Sequence, residues 1–557
     1  MIVRVRRKIG AANIIDFCLF NILNMRAYLW KIKNRLEKNW PRLVVFLALL
    51  GWCKVFLTIP INLITADLGR HIANGRLFAE NYLIPHTNLF SYTYPDYAFI
   101  SHHWGSGVIF YFMEKWFGFT GLSVFFILLS LMTFSLLFWL AKEKSSFSSA
   151  AAISLLTIPL IGERAEVRPE VFSYFFGAIF LLILSRVQDF KISAKWLFLL
   201  PVFVMLWVNL HIYFIFGIGV MGLFLGENIL RLFYGEKRKQ ATRLLENLIP
   251  AFILASAAAL INPFGWRGAI YPFKIFGNYG YRVVENQSVL FLEKLGFYQN
   301  SNLAVFEFAI FIFLLSLISA LILKRKNLSP ALAGLGITVS ALAFFALRNF
   351  ALFGYFILPV LAYFLYRAII GLREKYAFFR EKEKAAVIVL GIIFFVFTFS
   401  RHKEKVLINA ESELGLASGV NKSAEFFKRE KLAGPIMNNY DIGGYLIYHL
   451  YPDEKVFTDN RPEAYPADFF LKIYIPAQED NGAWKELDGR YGFNVIYYYL
   501  NDATPWGQKF LTTRIDDPEW IPVYTDSYAI IFVRNTLKNK SVIERFRIPR
   551  KFFNVQG

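Results

Sequence analysis

Cysteine is nearly absent. The 557 residues hold two, Cys18 and Cys53. Cys53 lies inside an apolar run, so a disulfide is not expected and no metal centre can be built from thiolates. Acids are scarce too: 41 Asp and Glu face 61 Lys and Arg, a formal net charge of +20. No internal repeat and no low-complexity linker is found, which weighs against the two-fold repeat plan of many transporters. Above all, the chain lacks the polar sequence that a soluble protein of this size needs to cover several domains. Instead, 56% of its residues are hydrophobic and 18% are aromatic.

The apolar residues come in long, nearly uncharged runs, among them 122–140, 201–225, 303–323 and 385–399. A helix needs about 20 apolar residues to cross a hydrocarbon core. Hydropathy alone places about eleven spans: 43–64, 119–141, 150–161, 169–184, 196–210, 213–232, 244–261, 303–323, 331–347, 350–370 and 385–400. When the chain alternates from a basic cytoplasmic start, the lysine- and arginine-rich loops all fall on one side. These are Arg4–Lys8, Lys142 and Lys144, Arg186 to Lys195, Lys237 to Arg243, Lys324–Lys326 and Arg373 to Lys384. That is the positive-inside distribution, and it argues against nucleic acid as the partner of the positive charge. The stretch 11–20 contains Asp16 and reads as a cytoplasmic amphipathic segment rather than a cleaved signal.

The expected fold is therefore a polytopic α-helical membrane protein of about eleven transmembrane helices, followed by a C-terminal soluble α/β domain. Three regions are expected: a basic cytoplasmic segment 1–40, a transmembrane domain 41–400, and an extracytoplasmic domain 401–557. Two long outer loops, 65–118 and 262–302, would face the same side as that last domain. In the first, 105–117 reads as a helix lying in the interface. In the C-terminal domain the pattern predicts helices at 422–428, 444–450, 466–474 and 505–513. Strands are predicted at 435–438, 455–458, 494–499, 520–524 and 528–533.

Chemistry-bearing residues gather on the predicted outer side. Asp67 is the first acid after the first span, and His71 shares its helix face four residues on. Such a carboxylate can hold a divalent cation or accept a proton; it can also simply cap a helix beginning at Leu68. Glu163, Glu166 and Glu170 crowd a short loop with Arg164 and Arg168, either as an acidic site or as a solvated turn with ion pairs. His102, His103 and His211 lie in outer turns, and Glu285 in the second long loop. Arg348 follows the ninth span on the side where arginine is disfavoured. It suits bidentate phosphate binding, or snorkelling to headgroups. Lys54 lies within the first span and calls for a partner inside the bundle, for which Glu307 is one candidate.

These residues resemble the C superfamily of glycosyltransferases, multi-spanning enzymes that use polyprenyl-phosphate-linked sugars. The stretch Asp67-Leu68-Gly69-Arg70-His71 is similar to the acidic motif that opens that superfamily's first outer loop. Val283-Val284-Glu285-Asn286-Gln287-Ser288 resembles a late-loop motif of the oligosaccharyltransferase catalytic subunit, with Asn where that subunit has His. Asn438-Asn439-Tyr440-Asp441-Ile442-Gly443-Gly444-Tyr445, then Thr458-Asp459-Asn460-Arg461, resembles the opening of its soluble domain without the tryptophans. Arg348 matches an arginine that contacts the lipid phosphate there.

The resemblance implies a lipid-linked-sugar glycosyltransferase at the outer face of the plasma (inner) membrane, with an acceptor that stays open. Asp67, Glu285 and Glu166 would be catalytic. Arg348, His71, His102, His103, His211, Asp441 and Tyr445 would contact substrate. Asp67, Glu163, Glu166 and Glu170 would form a site for Mg²⁺ or Mn²⁺, and no organic cofactor is expected. The expected partners are the bilayer and a polyprenyl-phosphate-linked sugar, with no nucleic acid. A flippase for lipid-linked glycans and a non-catalytic scaffold with an outer binding domain are the rival readings.

Overall fold

The computed structural model describes residues 39–233, 237–275, 277, 279–281, 283–296, 300–323 and 328–553. The basic segment before residue 39, with its amphipathic stretch, and the Lys324–Lys326 loop lie outside the described residues. The chain divides into two compact units, residues 1–52 and 53–557. The described part of the first is the opening of helix α1 (Asn39–Leu57).

The membrane part of the second unit continues with α2 (Leu68–Asn81), α3 (Trp104–Lys144), α4 (Phe147–Ile161), α5 (Glu170–Gln188) and α6 (Leu200–Leu210). It then runs through α7 (Phe214–Arg231), α8 (Arg238–Ala258), α9 (Ser301–Leu323), α10 (Pro330–Phe345), α11 (Phe350–Lys375) and α12 (Ala377–Glu411). Each of the eleven hydropathic segments falls on a helix. Among the described residues, seven helices are long and apolar enough to cross a membrane: α1, α3, α5, α7, α9, α11 and α12. Large apolar side chains such as Leu128, Phe311, Ile318, Ile388 and Ile392 are exposed on them. A soluble protein does not tolerate so broad an apolar surface, whereas lipid covers it.

α11 is the centre of the bundle. From Phe350 to Phe364 every residue is buried, against α3, α4, α9 and α10. A helix apolar on all sides belongs in such a place. α3 bends at Gly118 (φ 65°, ψ −173°), so the expected interfacial helix is its first part, ending in exposed Trp116 and Phe117. Lys54 is exposed on α1 and makes no ion pair with Glu307, so its expected burial in the bundle is not found. Its long stem lets the ammonium group reach polar surroundings without a partner.

After α12 the chain forms a three-layer domain: α13 (Lys422–Arg429), β1 (Ile436–Asn438), α14 (Gly443–Leu450), α15 (Asn481–Tyr491) and β2 (Val495–Tyr499), then α16 (Pro505–Ile515), β3 (Trp520–Thr525), β4 (Ala529–Arg534) and α17 (Lys540–Phe546). The strand order is β1-β2-β4-β3, parallel only between β1 and β2, with Tyr497 opposite Ile531. Alternation along β2 explains the layers. Tyr497 meets Phe427 and Tyr445 of α13 and α14, whereas Tyr498 stacks on Phe510 of α16.

The expected strand 455–458 does not join this sheet. Val456 instead bridges Ser91 of the first long loop. The Asn438 side chain takes the Phe457 N–H (2.9 Å) and donates to the Thr458 carbonyl (2.8 Å), satisfying backbone that a ladder would have used. The expected helix 466–474 is present, of the wider π type over Phe469–Tyr474, and runs on into a short α-helix, Ile475–Glu479. α15 is an addition to the expected pattern.

Two close helix crossings fix the position of α2. A Cβ on Gly75 would lie 2.0 Å from the Gly107 carbonyl oxygen, so the backbones of α2 and α3 touch there. A Cβ on Gly69 would lie 2.7 Å from the Gly444 carbonyl oxygen. The first turn of α14 thus sits directly on α2, and it brings the loop 458–461 up to Asp67.

Candidate active site

Asp67 stands at the N-cap of α2, yet its side chain makes no cap hydrogen bond. Asn460 Nδ2 donates to its Oδ1 at 2.5 Å, and Arg168 donates to its Oδ2 at 3.2 Å. Arg70 Nε holds Asn460 from behind at 3.3 Å. The local helix end therefore does not explain this carboxylate; long-range partners do. Burial pushes its pKa up, and the attraction of Arg168 and Arg70 does not fully offset this. Asp67 is therefore a better proton acceptor than an ordinary surface aspartate.

Around it, carboxylates and guanidinium groups alternate. Arg168 holds Glu166 through Nε (2.8 Å) and a terminal nitrogen (2.6 Å), and its other terminal nitrogen lies 3.8 Å from Glu285. Arg164 pairs with Glu285 and, at 2.6 Å, with Glu170. Arg348 donates to Glu170 (3.3 Å) and to Asn286 (3.1 Å). It turns into this network rather than out toward lipid. Burial alone would raise the Glu285 carboxyl, but Arg164, Arg168 and Arg348 prevail and hold it at about 2. Arg164, Arg168 and Glu170 are almost wholly buried, so each charge depends on its partner.

The four predicted histidines come from three separate segments and pack into one cluster. Ring centres are 5.2 Å apart for His71 and His103, 3.9 Å for His102 and His103, and 4.9 Å for His103 and His211. Ser173 Oγ lies 2.6 Å from His211 Nδ1 and accepts from Trp207 Nε1 at 2.7 Å. Burial leads in lowering every one of these imidazoles, His102 to about 4 and His211 to about 3. All four are therefore neutral at physiological pH. Three of their nitrogens, His71 Nδ1, His103 Nε2 and His211 Nε2, are buried without a partner, as are Arg164 Nε and Arg348 Nε. Unpaired buried polar atoms are uncommon and call for an explanation; five of them here mark a polar site.

Two cavities lie on either side of the turn Leu347–Asn349. One, of about 260 Å³, is lined by Arg164, Arg168, Arg348, Lys405, Glu166 and Glu285. The other, of about 280 Å³, is almost entirely apolar and lies between α7, α10 and α11, with Val220, Leu223, Leu335 and Leu352 in its walls. The turn Leu347–Asn349 is the partition: Arg348 faces the polar cavity, while Asn349 lines the apolar one and accepts from Tyr213 at 2.8 Å.

Not every expected residue belongs here. Tyr445 is fully buried in the C-terminal domain, with its hydroxyl bonded to Ser423 (3.0 Å) and to the Ala424 N–H (3.1 Å). It cannot reach a substrate, and its motif owes its place to the glycine contact with α2. Asp441 does face this region: burial, Asp502 and Asp67 push its carboxyl up to about 7. The expected metal set is not assembled. Glu163 turns away to Asn300 (2.7 Å) and Asn302 (2.6 Å), Glu170 is taken up by arginines, and Glu166 is held by Arg168. Among the described residues no group of three or more His, Cys, Asp or Glu is placed to hold a metal ion. Arg164, Arg168, Arg70 and Asn460 were not among the expected site residues. The only sequence signals for them were the charge crowding at 163–170 and the Asp-Asn pair at 459–460.

No protein-family profile and no curated protein matches the sequence. Solved structures do match its fold. The archaeal oligosaccharyltransferase AglB from Archaeoglobus fulgidus, in complex with an inhibitory peptide and a dolichol-phosphate, superimposes with a TM-score of 0.57 at 11% identity. The match covers 90% of this chain and 75% of that one. An oligosaccharyltransferase of Archaeoglobus fulgidus in complex with Zn and sulfate gives a TM-score of 0.53 at 10% identity, over 88% of this chain and 73% of that one. At such identity the likeness concerns fold alone. The chain has the fold of the archaeal oligosaccharyltransferase AglB.

Proposed function

We propose that the protein is a membrane glycosyltransferase that moves a sugar or glycan from a polyprenyl-phosphate carrier to an acceptor at the outer face of the membrane. One observation carries this reading: an apolar intramembrane cavity opens beside an arginine-lined polar one, with Asp67 at the far side of the same network. A carrier needs this combination, because its chain is hydrocarbon and its head is an anion. The chain would lie between α7, α10 and α11. The phosphate would be held by Arg348 and Arg164, whose unpaired Nε atoms can still donate. Dolichol-phosphate, a carrier of this class, is bound by AglB.

In the reaction the acceptor's nucleophilic atom attacks the anomeric carbon and gives its proton to Asp67. The bond from that carbon to the carrier's phosphate oxygen breaks, and the electron pair leaves with the phosphate. Arg348 and Arg164 stabilise the charge that develops there. Glu285 and Glu170 hold those arginines in place. The neutral histidines wall the site without adding charge. A Mg²⁺ or Mn²⁺ ion was expected on Asp67, Glu163, Glu166 and Glu170, and the Archaeoglobus fulgidus oligosaccharyltransferase has been seen with Zn. The donor set here does not fit one, so no step runs through a metal.

The acceptor is not identified by these residues. Asn439-Tyr440-Asp441 stands where the resembling subunit has tryptophans, so a peptide acceptor lacks its usual recognition surface. The test is transfer from a polyprenyl-phosphate-linked sugar by the purified protein in nanodiscs. Labelled sugar should leave the carrier, and Asp67→Asn should abolish that release.

A further inference from the structure

The geometry points to Arg168 as the group that occupies, in this chain, the place of a divalent cation between the acids of the site: we propose that the site works without a bound metal because this guanidinium bridges its carboxylates. One terminal nitrogen of Arg168 is 3.2 Å from Asp67 Oδ2 and 3.8 Å from Glu285 Oε2. Its other two nitrogens hold Glu166 at 2.8 and 2.6 Å. A single side chain thus touches the three carboxylates that a cation would have to gather.

A magnesium-like ion needs oxygens at about 2.0–2.1 Å in near-octahedral array. Here those oxygens already face donors. Asp67 Oδ1 accepts from Asn460 and Oδ2 from Arg168, while Glu285 Oε2 is shared by Arg164 and Arg168. Arg168 cannot make way by losing its proton, because guanidinium stays charged at any biological pH. Only 12% of its side chain is exposed. The count of charges agrees. Asp67, Glu166, Glu170 and Glu285 are matched by Arg70, Arg164, Arg168 and Arg348, so a doubly charged ion would meet a neutral cluster. The attraction of Glu166, Glu285 and Asp67 keeps Arg168 charged, against its burial and the neighbouring Arg164.

Arg168 is on this account a positioning residue for Asp67. The inference rests on the glycosyltransferase reading only for the role of the site, since metal binding can be read without any substrate. The experiment uses the full chain in phosphatidylcholine nanodiscs and the electron paramagnetic resonance signal of free Mn²⁺. Wild type should leave the signal as empty nanodiscs do, up to millimolar Mn²⁺. Arg168→Gln frees oxygens of Asp67, Glu166 and Glu285 and leaves the cluster one negative charge in excess, so it should take up one Mn²⁺ per chain, at least about tenfold tighter than wild type. A second change, Asp67→Asn, should release it. Arg168→Met is the replacement of choice where Arg168→Gln does not give a monodisperse protein. The proposal falls if wild type binds one Mn²⁺ that Asp67→Asn abolishes. It falls equally if neither arginine variant gains a site, since Arg168 would then not be what fills the position. Failure to transfer sugar would leave these binding results untouched.

Discussion

Arg348 and Asp441 make opposite demands on the site. Arg348 is argued to hold phosphate before and during the reaction, through a planar fork that a lysine ammonium cannot copy. Arg348→Lys should therefore weaken carrier binding and slow transfer together, by about 1–3 kcal/mol for a charge-assisted contact. Carrier affinity and single-turnover rate on the same preparation check this, and a wild-type value for both would reduce Arg348 to a structural role. Asp441 is strained by its surroundings. Its carboxyl titrates at about 7 in the folded protein, against about 3.9 for an unfolded aspartate. As pH rises from about 4, the unfolded state ionises first and gains relative stability; the penalty is complete above about pH 7. Asp441→Asn should thus raise the melting temperature at pH 8 by clearly more than at pH 5. Of these single residues, Asp67 and Arg348 stand out in the sequence by position, one as the first acid after the first span and the other as an arginine on the side where arginine is disfavoured. Arg168 and Asn460 were not, because an arginine among acids reads as an ordinary ion pair, and Asn460 gains its meaning only from a contact 393 residues away.

Among elements, the helices were the most legible part, since hydropathy and length decide them. The short strand 455–458 was misread for a reason no periodicity reveals: an asparagine side chain supplies the hydrogen bonds that a neighbouring strand would have given. The glycines carry the most hidden information. Gly75 looks like a helix weakness in the sequence, but it is where α2 meets the backbone of α3. A methyl group there meets a carbonyl oxygen, which cannot rotate away. Gly75→Ala should cost about 1–3 kcal/mol by overpacking and should also shift Asp67 and His71 with the helix. Thermal unfolding and transfer rate should fall together; unchanged unfolding would mean that the crossing is looser than the contact implies. The Gly443-Gly444 pair belongs to the same logic, because it is how the C-terminal domain reaches Asp67.

For the whole molecule, the account needs the C-terminal domain and the polar cavity on the same, extracytoplasmic side. The support is the one-sided distribution of lysine and arginine, together with a domain whose loop 458–461 completes the site around Asp67. A reporter fused after the last residue should be active only when it is a kind that works outside the cytoplasm; activity of a cytoplasmic reporter would invert the site. Fold class was legible as a whole because composition confines such a chain to a helical bundle. The site was legible only in outline, since the acids and Arg348 stand out by their side of the membrane, whereas the pairing of Arg164 and Arg168 with Glu285 and Asp67 comes only from the fold. The central claim concerns what Asp67 does, and one measurement reaches it most directly. Single-turnover transfer from a polyprenyl-phosphate-linked sugar should be compared for wild type and Asp67→Asn, with carrier affinity measured alongside. The substitution keeps the shape and removes the charge, so the rate should drop by at least about 100-fold, the range for loss of a general base, while affinity changes little. Transfer by Asp67→Asn at the wild-type rate would contradict the account.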